Sequence, residues 1–349
     1  MAWWRLQSHS GQVRSNAGIS VISQNSRESG AAARFARRAL LRAAVFETRD
    51  PELWTRRPAI AAFVATGVIA EVREEVIVVG SERGTEVFGI SPATETWLGA
   101  KASPSALRPG DPVIVRHRTL DAAPTRRHAE RIWARIGRVT GTIVAAEGPE
   151  FLVDTGRGNA PPRRVVIADA ASRQIQVRFP RLVPGYLLDV IGTTHDDHLL
   201  AVAPATAQPP YHAGHSPRPP LVGGSVPMPI SGSAVWHEPE HEPLGLLGLA
   251  YPAIDPEGGA PPADGATGCV RLPYLSLGAA VRIRNECAKR AAVLLVTSDG
   301  VMAREFCDRC VKCGTSPKGR VADLTMAAFV GLGGNLEDGC FNATLTMAG

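Results

Sequence analysis

Residues 141–156, GTIVAAEGPEFLVDTG, decide the fold class of this chain. Read in period two, they give two short strands joined at a turn, the pattern of a sheet with one buried and one wet face. The same arrangement stands earlier, in GVIAEVREEVIVVG at 67–80. The earlier copy continues through TEVFGIS (85–91), a polar loop and LRPGDPVIVRH (107–117); the later one continues through RRVVIADA (163–170), a polar loop and LVPGYLLDVIG (182–192). Gly67 aligns with Gly141 and the turn at Leu107 with the turn at Leu182, offsets of 74 and 75 residues. This is an internal repeat. Each copy holds about five short strands with a Pro-Gly turn before the last, which suits a small closed barrel of the OB or SH3-like kind, because closure removes sheet edges. Neither copy gathers His, Cys or paired carboxylates, so both read as spacer or ligand-docking barrels.

Outward from the repeat the composition agrees. With 35 glycines, 28 prolines and only 5% aromatic residues, the chain favours many short strands and turns, and an all-β protein is expected. At 349 residues it needs more than one core. The expected organisation is a disordered and helical N-terminal segment over 1–60, with a basic Ala-rich helix at 31–46, then barrels over 61–130 and 131–204. A Pro-rich linker over 205–230 and a final domain over 231–349 complete it. His212 and His215 read as solvated linker side chains, not metal ligands. The net charge of +5 is spread without interleaved aromatics, so a nucleic-acid partner is not expected. No run of 18 apolar residues predicts a transmembrane helix. Oligomeric state is not legible.

All six cysteines, Cys269, Cys287, Cys307, Cys310, Cys313 and Cys340, fall in the final domain. An even number crowded into one small module reads as disulfide stapling, hence an extracellular or cell-wall location. The N-terminus lacks the apolar core of a secretory signal; Arg56-Arg57 before PAIAAFVATGVIA (58–70) is the nearest export-like feature. The Cys307-x-x-Cys310-x-x-Cys313 run leaves a zinc site open as the alternative, with Cys287 or Cys340 as fourth ligand. An iron–sulfur run would want a further Cys where Ser316 and Pro317 stand.

The final domain opens with SGSAVWHEPEHEP (231–243). Pro239 breaks the helical His-Glu-x-x-His of a zinc peptidase. Trp236 reads either as an aromatic platform for a sugar or as core. No cofactor is expected.

Further on stand Leu275-x-Leu277-Gly278 before a Val281-Arg-Ile strand, a strand ending Asp299-Gly300, the run GRVADLTMAAF (319–329) and a terminal GCFNATL (339–345). In this order the final third resembles the double-psi β-barrel of rare lipoprotein A-like proteins and expansins, which implies a six-stranded barrel with a cell-wall polysaccharide cleft. The resemblance makes Asp323 the residue on which activity depends and sets Asp299 beside it; Trp236, Thr325 and Tyr274 are the candidate substrate contacts. Two carboxylates facing one groove repel, so one is expected to keep its proton and to serve as general acid. Asp323 also suits the N-cap of a helix over LTMAAFVGL. Members with lytic activity usually carry a His before the Leu-x-Leu-Gly segment, and CVRLPYLSLG (269–278) has none. Binding or remodelling of peptidoglycan or a β-glucan is therefore the first reading. A lytic transglycosylase using Asp323 is the alternative, and a non-catalytic structural or partner-binding protein is the third.

Overall fold

The structure, a computed structural model, describes residues 59–347 apart from 82–83, 121–122, 157–159, 208–211, 214–228, 239–243, 255–265, 268, 301, 311, 315–316 and 318. The expected helix at 31–46, Arg56-Arg57, His215 and most of the linker lie outside the described residues. Three closed barrels follow one another in sequence, and the protein is all-β. Among the described residues no helix is long and apolar enough to cross a membrane.

The first barrel is built from β1 (Val64–Val72), β2 (Val76–Ser81), β3 (Gly84–Gly89), β4 (Glu95–Trp97), β5 (Lys101–Ala102), β6 (Pro112–Leu120) and β7 (Ala123–Ala134). Antiparallel pairing runs β3-β2-β1-β6-β7, and a parallel pairing of β3 with β7 closes the ring; β4 continues along the same edge of β7 and carries β5. The second barrel comprises β8 (Ile136–Glu147), β9 (Glu150–Asp154), β10 (Arg163–Ile167), helix α1 (Asp169–Arg178), β11 (Leu187–Thr194) and β12 (Leu199–Pro204). Its ring is β10-β12-β11-β8-β9, with β10 and β12 parallel.

In both rings the third and fifth main strands run parallel and the fourth returns beside the first. That arrangement is OB-like and decides between the two kinds of barrel the repeat allowed. The repeat extends to single hydrogen bonds. The amide of Ile69 donates to the carbonyl of Asp111 at 2.9 Å and that of Ile143 to the carbonyl of Tyr186 at 2.8 Å; Gly110 and Gly185, both at positive φ, return 2.8 Å bonds to Ile69 and Ile143. Gly67 and Gly141 sit where the first strand coils tightly over the second. A methyl group at either would run into a backbone carbonyl, of Gly80 or of Asp154.

The third barrel is formed by β13 (Ile230–His237), β14 (Gly248–Tyr251), β17 (Ala280–Asn285), β18 (Ala291–Asp299), β19 (Arg320–Thr325) and β20 (Cys340–Met347), with a hairpin of β15 (Ala266–Thr267) and β16 (Val270–Arg271) inserted and helix α2 (Met326–Gly331) after β19. The ring order is β13-β19-β14-β18-β17-β20. Only β13–β19 and β14–β18 are parallel. Exchanging the first three strands for the last three leaves every pairing unchanged, which is the internal two-fold of a double-psi barrel.

The barrels belong to one compact unit. The core of the third, around Trp236, Tyr251, Leu324 and Phe341, is continuous with Trp97, Ile114, Trp133, Ile136 and Ile191 of the other two. Polar clamps reinforce this contact. Asp189 of β11 takes both Nε and Nη2 of Arg138, at 2.7 and 2.6 Å, and is also paired with Arg320 of β19. Arg320 in turn holds Asp308 at 2.8 Å, and Arg138 donates to the carbonyls of Trp236 and Gly339, both at 2.8 Å. Between the first and third barrels, Glu337 accepts from Arg131 and from the indole of Trp133.

Four of the six cysteines form disulfides, Cys269–Cys307 and Cys287–Cys313. Stapling of all six is thus corrected to two pairs. Cys310 and Cys340 are buried thiols that pack with Val235 and share a hydrogen bond. Among the described residues no three His, Cys, Asp or Glu side chains gather as metal ligands.

Candidate functional site

Parallel pairing of β13 with β19 sets Val235 opposite Asp323, Trp236 opposite Leu324 and His237 opposite Thr325. Because side chains alternate along a strand, Trp236 and Leu324 turn into the core while Val235, Asp323, His237 and Thr325 share the other face. Trp236 is 1% exposed, donates its indole N–H to the carbonyl of Leu336 at 2.8 Å and lies under the guanidinium of Arg138. It is a core residue, not a sugar platform.

On the outward face the imidazole of His237 meets the carboxylate of Asp323, Nδ1 to Oδ1, at 3.2 Å, with the side chains 11% and 16% exposed. Burial alone would raise the Asp323 carboxyl above its ordinary range. His237, and beyond it the cations Arg138 and Arg320, outweigh this and hold it below. An ionised carboxylate only accepts, so Nδ1 of His237 carries the proton in this contact.

The structure corrects the expected carboxylate pair. Strand β14 lies between β18 and β19, and its Ala250 is in register with both Ser298 and Asp323, whereas Tyr251 is in register with Asp299. Asp323 therefore shares its face with Ala250 and Ser298, and Asp299 stands two strands away on the opposite face. The proton expected on one of two repelling carboxylates has no such cause here.

Thr325 is corrected as well. It is the N-cap of α2: its hydroxyl accepts from the amide of Ala328 at 3.4 Å and of Gly248 at 3.3 Å and donates to the carbonyl of Leu246 at 2.6 Å. Fully engaged and buried, it has nothing left for a sugar, and Asp323 is not the cap. Tyr274 packs, partly buried, against the barrel core. In sequence His237 stood out only among the acids and histidines of 237–242; its adjacency to Asp323 depends on a parallel pairing between strands 86 residues apart.

Beside this dyad lies a pocket of about 170 Å³ where the three barrels meet. Its walls are Pro112, Val113 and Ile114 of β6, Trp133 of β7, Arg135 and Ile136 at the passage between barrels, Thr194, Glu238, Leu244 and Met326. Glu238 and Met326 directly follow His237 and Thr325.

No family model matches the chain, and no curated protein matches it. Among solved structures it is similar to "drosophila Unr CSD456", with 13% identity, 67% of this chain and 94% of that one covered, and a TM-score of 0.17.

Proposed function

We propose that the third barrel is the polysaccharide-binding part of an exported, cell-wall-associated protein, and that it holds its ligand without cleaving it. The observation that carries this reading is the charge state of Asp323. A carboxyl held below its ordinary range by a neighbouring imidazole is an acceptor for sugar hydroxyls and a poor general acid. Asp299 lies on the other face, so the carboxylate pair expected for glycoside hydrolysis is not formed by Asp299 and Asp323. The double-psi ring and the disulfides of the same domain are in keeping with the resemblance to rare lipoprotein A-like proteins and expansins.

The test is sedimentation of the full chain with insoluble peptidoglycan and with cellulose, while soluble sugar is assayed in the supernatant. Wild type is expected to be retained on one of the two without releasing sugar. Asp323→Asn and His237→Gln, each losing a charge-assisted hydrogen bond, should weaken retention by about tenfold or more. Sugar release by wild type, abolished in Asp323→Asn, would establish the lytic alternative. Retention on neither polymer would leave a scaffold or partner-binding role.

A further inference from the structure

Nothing in the reading of the polysaccharide site uses the pocket at the junction of the three barrels, and its chemistry points elsewhere. Seven of its walls are Pro112, Val113, Ile114, Trp133, Ile136, Leu244 and Met326, all apolar or aromatic. Its charged walls are Arg135 and Glu238, and they differ in how far they are already engaged. Glu238 accepts from the amide of Arg138 at 3.0 Å through one oxygen and from the guanidinium of Arg163 at 3.3 Å through the other. The guanidinium of Arg135 makes one long hydrogen bond, 3.4 Å to the carbonyl of Thr194, and has no carboxylate partner among the described residues.

Arg135 is also held in an unusual conformation. It is the single residue between β7 and β8, and its φ is +52°, in the left-handed region that side chains other than Gly, Asn and Asp seldom occupy. Its backbone is fixed there from both sides, with its amide on the carbonyl of Pro112 at 2.9 Å and its carbonyl on the amide of Thr194 at 2.8 Å. A glycine would meet the backbone requirement without strain, yet the position carries an arginine, whose guanidinium lines an apolar pocket with no carboxylate partner among the described residues.

We propose that this pocket is a binding site for a small monocarboxylate with an apolar body the size of one aromatic ring, its carboxylate taken by Arg135. The volume of about 170 Å³ sets the body, since an apolar cavity of about 150 Å³ is large enough for benzene. The charge sets the head group, since the planar guanidinium can donate two parallel hydrogen bonds to a carboxylate.

Calorimetric titration of the full chain with benzoate, and with benzyl alcohol as the uncharged counterpart, tests the assignment. Benzoate is expected to bind saturably and about tenfold or more tightly than benzyl alcohol. Arg135→Gly removes the cation while relieving the left-handed strain, so it is expected to melt no lower than wild type and to bind benzoate no better than the alcohol. Leu244→Trp, made at a partly exposed wall position, fills the pocket and is expected to abolish binding of both. Absence of saturable benzoate binding to wild type overturns the proposal, as does undiminished binding to a folded Arg135→Gly or Leu244→Trp variant. Retention on polysaccharide is a separate readout, so either reading can fail without the other.

Discussion

In the wall of the first barrel the imidazole of His117 is buried, lies 5.1 Å from the ring of Phe88, and leaves its Nδ1 without a hydrogen-bond partner among the described residues. Burial, with the charge of Arg127, pushes its pKa down to about 4. The unfolded chain therefore takes up the proton first, and folding stability falls as the pH drops from about 6.5 to about 4, by up to about 3 kcal/mol. Denaturation midpoints measured across that range should show the loss in wild type and little of it in His117→Phe; an equal slope in both would assign the dependence to other groups. The same arithmetic of burial and charge separates what could be read at Asp323 from what could not. The run from Gly319 to Phe329 announced a short helix from local signals, with its cap at Thr325, two residues beyond the Asp323 read as the cap. The neighbour His237 and the inward turn of Trp236 depend on which strand lies beside β19, and no local pattern specifies that.

Among the elements, the paired first strands of the two OB-like barrels carry the clearest structural demand. At Gly141 a methyl group would collide with the carbonyl of Asp154 and the side chain of Val153, and backbone has nowhere to yield without opening the ladder between β8 and β9. Gly141→Ala is expected to lower stability by about 2 kcal/mol or more, measured by chemical denaturation. A change within about 0.5 kcal/mol would mean that the strand coils differently. Here the sequence was legible: alternation, the Pro-Gly turns and the offsets of 74 and 75 residues located both barrels and their corresponding glycines. The choice between OB and SH3-like rings was not, because it rests on the parallel closures β3–β7 and β10–β12, long-range pairings that leave no trace in the alternation of either partner. The repeat also conceals a difference. The second barrel places helix α1 between its third and fourth strands, where the first places β4 and β5.

Across the whole molecule, buried ion pairs join the second barrel to the third. Asp189 is fully buried between Arg138 and Arg320, and its carboxyl is held far below the ordinary range, because these two cations overcome the opposing effect of burial. Asp189→Ala would leave two guanidinium groups, 1% and 0% exposed, without that carboxylate and is expected to cost about 3–5 kcal/mol, with the second and third barrels unfolding in separate steps. A single cooperative transition at wild-type stability would show that the clamp does not couple them. The same cations reach Asp323, so its charge is set by the second barrel as well as by His237. A pH titration of the Asp323 carboxyl carbon by NMR in the full chain tests this most directly. The expected midpoint lies below the 3.8 of an ordinary aspartate and rises in His237→Gln; a midpoint above it would make Asp323 a proton donor and contradict binding without cleavage.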